Sequence, residues 1–166
     1  MEMTSHSNLA QFHTCFIDGE HVWIVMPVFE GGSIDTILAT SFPNGIQDET
    51  IILAILHEVL KGLNYLHKQK LIHRDIKSSN IVIDKNGNIC LNDFGISLFS
   101  HDQTTATFAG TLQWMAPETI GEKHILSSKS DIWAVGITAI EIAEGKVPFS
   151  ELRGENVIIA CLIIAY

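Results

Sequence analysis

The stretch HRDIKSSN, residues 73–80, decides the architecture of this chain, and DFG, residues 93–95, follows it after a short strand, turn and strand. The two stretches supply carboxylates, an ammonium group and a side-chain amide. Phosphoryl transfer depends mainly on positioning and on neutralising charge, and these groups can provide both. We predict that Asp75 orients an attacking hydroxyl and that Asn80 and Asp93 give hard oxygen ligands to Mg²⁺. The two stretches therefore indicate a phosphoryl-transfer site.

Further motifs follow in a fixed order. The tripeptide APE, residues 116–118, comes after the second stretch, and DIW, residues 131–133, opens an apolar helix. Together these motifs resemble the signature of the eukaryotic protein kinases. The combination of GT, residues 110–111, WMAPE, residues 114–118, and GITAIE, residues 136–141, is similar to the germinal-centre branch of the STE group of serine/threonine kinases. The resemblance implies an α+β fold of the protein-kinase type, ATP and Mg²⁺ as cofactors, and a protein Ser or Thr hydroxyl as substrate.

The chain has 166 residues, fewer than the roughly 250 residues in two lobes that the resemblance implies. We therefore expect a partial kinase domain, truncated at both ends and formed mainly by the helical large lobe. Residues 1–26 are predicted to be a remnant of the small lobe that includes its last hairpin. Residues 27–32 are predicted to be the hinge, and residues 33–166 an incomplete large lobe.

In the family, a glycine-rich loop and a strand lysine hold the ATP phosphates. This sequence contains no Gly-x-Gly-x-x-Gly, and no Lys or Arg precedes Lys61. We therefore expect the complete domain to be a serine/threonine kinase and the isolated chain to be inactive. The alternatives are a pseudokinase-like binding module and a non-functional truncated product.

The resemblance assigns three residues to catalysis. Asp75 orients the nucleophile, and Lys77 offsets charge on the γ-phosphate. Thr111 is expected to hydrogen-bond both of these side chains and to favour Ser and Thr hydroxyls over Tyr.

On the nucleotide side, the resemblance makes Met26 the gatekeeper of the adenine site. The carbonyl of Pro27 and the N–H of Phe29 are the expected contacts to adenine, and Pro27 can serve because proline lacks only the donor. Val82 is expected to lie under the adenine ring. The alternative is that residues 26–29 are simply the apolar end of a strand.

By its position before residues 110–111, Thr107 resembles an activating phosphorylation site, which an upstream kinase would modify. Loops of this kind become ordered when a phosphate pairs with arginine, and Arg74 is the expected partner. The alternative is an ordinary loop rich in Ser and Thr, because such loops are common.

The resemblance gives structural roles to His73, Phe94, Glu118 and Asp131. Asp131 is expected to hold the backbone of the loop that contains His73. Glu118 is expected to pair with an arginine beyond Tyr166.

Turn residues and alternating hydrophobicity predict two hairpins. The first has strands over residues 12–17 and 21–26, with Asp18-Gly19 in its turn. The second has strands over residues 81–83 and 88–91, with Asn-Gly in its turn. A hairpin at this second position would bring Asn80 and Asp93 side by side.

Helical periodicity and capping residues predict three helices. Ser33 is expected to cap a helix through Ala39, and Asp48 to cap a long one. The apolar face of the long helix is Ile52, Ile55, Leu56, Val59, Leu63 and Leu66. The third helix is predicted to start with a capping box of Ser128 and Asp131 and to end at Gly145. It has almost no polar face, so we expect it to be buried on all sides.

Composition limits the partners and the compartment. The formal charge is −9, and the basic residues are scattered, which argues against a nucleic-acid partner. The apolar run over residues 157–166 is about half of the roughly 20 residues that span a bilayer, so no membrane span is expected. The 3 cysteines are far apart and odd in number, which favours reduced thiols and a cytoplasmic protein.

Overall fold

A computed structural model of the chain describes residues 5–93, 98–99, 110–120 and 125–152. The α-helices are α1 (Ile34–Ser41), α2 (Glu49–Lys68), α3 (Pro117–Ile120) and α4 (Ser128–Glu144). The strands are β1 (Thr14–Asp18), β2 (His21–Val25), β3 (Gly32–Ser33), β4 (Leu71–Ile72), β5 (Ile81–Ile83), β6 (Ile89–Leu91) and β7 (Leu98–Phe99). Short 3-10 turns cover Ser78–Asn80 and Leu112–Trp114.

Within the described residues, the strands form small antiparallel sheets in the orders β1-β2, β3-β5-β6 and β4-β7. Both predicted hairpins are therefore present. In the first, Asp18 pairs with His21, so the two residues of the turn are Gly19 and Glu20 rather than Asp18 and Gly19. All residues of β1 and β2 are exposed.

Helix α2 forms the centre of the core. The Asp48 side chain accepts a hydrogen bond from the Thr50 N–H at 2.8 Å, as the capping prediction requires. The predicted apolar face packs inward: Ile55, Val59, Leu63 and Leu66 are buried, and Ile52 and Leu56 pack against them. Each large aliphatic side chain buried in this way contributes about 1.5–3 kcal/mol relative to exposure.

Residues 8–10 pack against both α2 and β6. The Asn8 side-chain amide donates to Glu58 at 2.6 Å and to the Ile89 carbonyl at 2.9 Å. Its backbone carbonyl accepts from the Leu91 N–H at 2.9 Å. Close approach depends on Gly62, because a Cβ at that position would lie 2.7 Å from the Asn8 carbonyl oxygen. Sequence periodicity did not predict this packing.

Two predictions about α4 are wrong. Its N-cap is Ser127, which forms the capping box with Ser130, because the Asp131 carboxylate is bound by other donors. The helix is also not buried on all sides, because Ile132 and Ile140 are 46% and 45% exposed. The opposite side packs into the core through buried residues, namely Ala134, Val135 and Ile142. The helix ends at Gly145, as predicted, in a left-handed conformation with φ 70°.

Helix α1 extends through Ser41, two residues beyond its predicted end at Ala39. Ser33 occupies the N-cap position, but its hydroxyl donates to the Asp35 carboxylate instead of accepting from a helix N–H. None of the helices in the described ranges is both long and apolar enough to cross a membrane.

Candidate active site

Asp131 on α4 holds the start of the loop over residues 73–80. Its Oδ2 accepts the His73 backbone N–H at 2.9 Å, and its Oδ1 accepts the Arg74 backbone N–H at 2.9 Å. Arg74 has φ 76°, a left-handed conformation that costs free energy in a residue with a side chain. The buried carboxylate therefore fixes a strained turn immediately before Asp75.

The loop brings Asp75, Lys77 and Thr111 together. Lys77 Nζ lies 2.8 Å from Asp75 Oδ2 and donates to Thr111 Oγ1 at 2.7 Å. Thr111 Oγ1 in turn donates to Asp75 Oδ1 at 2.7 Å. These are the contacts that the resemblance implied for Thr111, although the catalytic roles of the three residues stay predictions.

The Asp75 carboxyl is stabilised in its charged form. Partial burial is the largest single influence on its pKa and acts to raise it, because desolvation penalises charge. Hydrogen bonds from Lys77, Thr111 and Asn80, together with the charge of Lys77, outweigh burial and lower the pKa below its ordinary value. Asp75 is therefore an anion at neutral pH.

Asn80 is oriented by Asp75. Its side-chain nitrogen donates to the Asp75 backbone carbonyl at 2.7 Å and to Asp75 Oδ2 at 2.9 Å. Both partners can only accept, so the amide NH₂ must face Asp75 and the amide oxygen must point away. The orientation leaves Asn80 Oδ1 available to a metal ion.

Asp93 follows the strand that pairs with the residues after Asn80. The Asn92 N–H donates to the Asn80 carbonyl at 2.8 Å, which continues the β5–β6 ladder and brings the two predicted metal ligands onto neighbouring segments. Asp93 is exposed and has φ 60°. An amide oxygen and a carboxylate are hard ligands that fit Mg²⁺. No cluster of three His, Cys, Asp or Glu side chains suited to a metal occurs in the described part of the chain.

His73 is a neutral, fully buried imidazole that joins the two segments. Its Nδ1 accepts the Asp75 backbone N–H at 3.3 Å, so the ring proton is on Nε2, which donates to the Asn92 carbonyl at 3.1 Å. Burial lowers the pKa of His73 and outweighs the opposing effects of nearby groups that include Asp131 and Asp93. The ring thus connects the Asp75 loop to the residue before Asp93.

The residues predicted to meet adenine are only partly brought together. Val82 is buried in a small cluster with Ala10 and Cys90, and Phe29 packs against this cluster. Met26 is 37% exposed and Pro27 is also exposed.

Four predicted site residues remain to be placed. Phe94 and Thr107 lie outside the described residues, so their predicted roles stay predictions. The Arg74 side chain is partly buried, and burial lowers its pKa despite the attraction of Asp131. Glu118 is exposed and accepts a weak hydrogen bond of 3.4 Å from Ser130 Oγ.

Two side chains near the site were missed by sequence reasoning. His67 lies with Nε2 2.7 Å from Asp131 Oδ2. Glu141 accepts from the Trp114 indole N–H at 3.0 Å and from Ser78. The available sign for Glu141 was its position as an acidic residue among the apolar side chains in the second half of α4. His67 gave no sign, because a lone histidine is common on helix surfaces.

Comparisons with known proteins agree with the motifs. A family model described as "Protein kinase domain" matches residues 1–164. Serine/threonine-protein kinase fray2 of Dictyostelium discoideum is 46% identical over 98% of this chain and 16% of its own length. Serine/threonine-protein kinase sid1 of Schizosaccharomyces pombe is 44% identical over 92% of this chain and 32% of its own length. Germinal center kinase 3 of Caenorhabditis elegans is 36% identical over 98% of this chain and 30% of its own length.

The chain therefore spans between 16% and 32% of the length of these relatives.

Proposed function

Because the chain belongs to the protein kinase family and its relatives are named serine/threonine kinases, we propose that its site transfers the γ-phosphoryl group of ATP to Ser or Thr hydroxyls of a protein substrate. The expected family, its germinal-centre-like branch and its α+β fold are confirmed. The observation that carries the proposed activity is the hydrogen-bonded cluster of Asp75, Lys77, Thr111 and Asn80.

The cluster suggests which oxygen of Asp75 receives the substrate. A carboxylate oxygen can accept about two hydrogen bonds. Among the described residues, Oδ2 has two donors, Lys77 Nζ at 2.8 Å and the Asn80 amide at 2.9 Å, whereas Oδ1 has only Thr111 at 2.7 Å. We assign Oδ1 as the atom that accepts the hydroxyl of the substrate and orients it for attack in line with the leaving group.

Asn80 and Asp93 are the residues that would hold Mg²⁺, and Phe29 and Val82, with Met26 and Pro27, would meet adenine. Bound Mg²⁺ supplies neutralisation of charge on the phosphate oxygens. Lys77 adds a positive charge beside Asp75 that can move toward the γ-phosphate. Its bond to Thr111 keeps that ammonium group inside the site.

Regulation and location are part of the proposal. An upstream kinase phosphorylates Thr107, and the phosphate pairs with Arg74, because a doubly charged phosphate attracts a guanidinium strongly. The free thiols Cys15 and Cys90 suit the reducing cytoplasm.

The test measures phosphate incorporation from labelled ATP into a generic Ser/Thr protein substrate, by the 166-residue chain and by any longer natural product that contains it. Asp75→Asn should abolish transfer, and Asp18→Asn, which alters an exposed aspartate in the first hairpin, should not. In a longer product that does transfer phosphate, equal activity of the two variants would overturn the assignment of Asp75.

For the 166 residues alone we propose negligible transfer and weak nucleotide binding, because no Lys or Arg precedes Lys61 to hold the phosphates. A pseudokinase-like binding module is the second candidate for the isolated chain. Transfer by the isolated chain that Asp75→Asn removes would contradict both of these statements.

A further inference from the structure

Glu141 is a half-buried carboxylate on α4 that contacts two other segments of the chain. Its Oε1 accepts the Ser78 hydroxyl at 2.5 Å, and its Oε2 accepts the Ser78 backbone N–H at 3.2 Å. The same Oε2 accepts the Trp114 indole N–H at 3.0 Å. One side chain therefore takes three donors from two segments that lie 36 positions apart in sequence, at Ser78 and Trp114.

Both segments carry groups of the candidate site. Ser78 follows Lys77 directly and begins the 3-10 turn that ends at Asn80. Trp114 ends the 3-10 turn that begins just after Thr111, and the backbone N–H of Trp114 donates to the Thr111 carbonyl at 3.0 Å. Glu141 thus lies behind the site and joins the segment of the predicted metal ligand to the segment of Thr111.

The contacts form a closed circuit. Lys77 is covalently joined to Ser78, Ser78 bonds Glu141, and Glu141 bonds Trp114. Trp114 then returns through its own turn to Thr111, which accepts from Lys77 Nζ at 2.7 Å. Hydrogen bonds to an ionised acceptor are roughly twice as strong as neutral ones, so the hydrogen bonds of Glu141 with Ser78 and Trp114 hold the two segments together strongly.

We propose that Glu141 is a positioning residue, which fixes the Thr111 segment against the Lys77–Asn80 segment so that Thr111 stays within reach of Asp75. The proposal rests on the proposed function, since it concerns the geometry of that same site. It also predicts that a change at Trp114 reaches the Ser78–Asn80 turn through Glu141.

The first test is NMR of the ¹⁵N-labelled chain, which needs no enzymatic activity. Glu141→Gln nearly preserves size, but its amide NH₂ cannot accept the indole proton while its oxygen accepts from Ser78. We expect this variant to shift the Trp114 indole N–H resonance, which is identified by its loss in Trp114→Phe. Trp114→Phe should also shift the Ser78 and Asn80 amides, and should no longer do so in the Glu141→Gln background.

A purely structural role would give a different pattern. In that case the two substitutions would act on the Ser78 and Asn80 amides independently, and their effects would add in the double variant. Additive shifts, or an indole resonance unchanged by Glu141→Gln, would overturn the proposal. Ile140→Ala, at the exposed neighbouring position, is the control that should leave these resonances unchanged.

The second test uses the longest active product that contains the chain. Misplacement of groups by about 1 Å can cost roughly 100-fold in rate, so we expect loss of one tether to lower kcat about 10-fold. The KM for ATP should stay within about twofold, and the double variant should be no slower than either single one. A wild-type protein without transfer activity would refute the proposed function, and the NMR result would still decide the role of Glu141.

Discussion

Replacing Asp131 should release the loop that carries Asp75. The Asp131 carboxylate is 1% exposed and accepts the backbone N–H groups of His73 and Arg74, each at 2.9 Å. A buried donor left without a partner costs about 1–3 kcal/mol, so Asp131→Ala should lower the free energy of unfolding by about 2–6 kcal/mol. Asp131→Asn keeps one acceptor oxygen and should cost about half as much, roughly 1–3 kcal/mol.

Replacing Asp131 should loosen the His73–Arg74 turn in addition to lowering the stability of the whole fold. Arg74 is held at φ 76° by these contacts, and without them the backbone can relax to a more common conformation. Hydrogen exchange followed by NMR should therefore show faster exchange at the His73 and Arg74 amides than the loss of global stability explains. Urea unfolding gives the stability change, with Glu144→Gln, an exposed substitution on the same helix, as control.

Asp131→Ala would contradict this prediction if its free energy of unfolding lay within about 0.5 kcal/mol of that of the wild type, the usual range for surface substitutions. Unchanged exchange at the Arg74 amide would contradict it as well. Either result would mean that other contacts hold the turn.

Three further predictions concern packing, pH and metal binding. Gly62→Ala should lower the free energy of unfolding by about 1–3 kcal/mol, because its Cβ would meet the Asn8 carbonyl oxygen at 2.7 Å. The control Gly136→Ala, whose Cβ would have nothing within 4 Å, should be neutral or stabilising by up to about 1 kcal/mol. Equal stability of the two variants in urea unfolding would contradict the packing of residues 8–10. The pKa of Asp75 is below its ordinary value in the folded chain, so its stabilisation should be complete well above the ordinary aspartate pKa and decrease as pH falls through the folded pKa. Asp75→Asn should flatten that acidic part of a profile of unfolding free energy against pH. In the longest active product that contains the chain, Asp93→Asn should abolish phosphoryl transfer and leave the unfolding midpoint nearly unchanged, because Asp93 is exposed. Substantial remaining activity would remove Asp93 from the metal site.

Much of the fold was predictable where one physical rule acts locally. Helix α2 has a capping aspartate and apolar residues at helical spacing, and both β5 and β6 flank a turn with Asn and Gly. These features specify their own geometry. The Asp75 loop was predictable for another reason, because its side chains carry the chemistry.

The wrong predictions concern places where contacts with residues distant in sequence determine the local structure. Ser127 and Ser128 are equally good caps, and the choice depends on Asp131 being recruited by the backbone of the His73–Arg74 turn. Likewise, no local pattern in residues 8–10 predicts that Asn8 binds Glu58 and Ile89. Such contacts depend on which segments the fold brings together.

The most direct test of the central claim, that Asn80 and Asp93 hold the metal of a nucleotide beside Asp75, is paramagnetic broadening by Mn²⁺–ATP. In ¹⁵N spectra of the longest active product that contains the chain, the amides around Asn80 and Asp93 should broaden first, and Asp93→Asn should greatly weaken the effect. Broadening that spares both positions, or that persists unchanged in Asp93→Asn, would contradict the account.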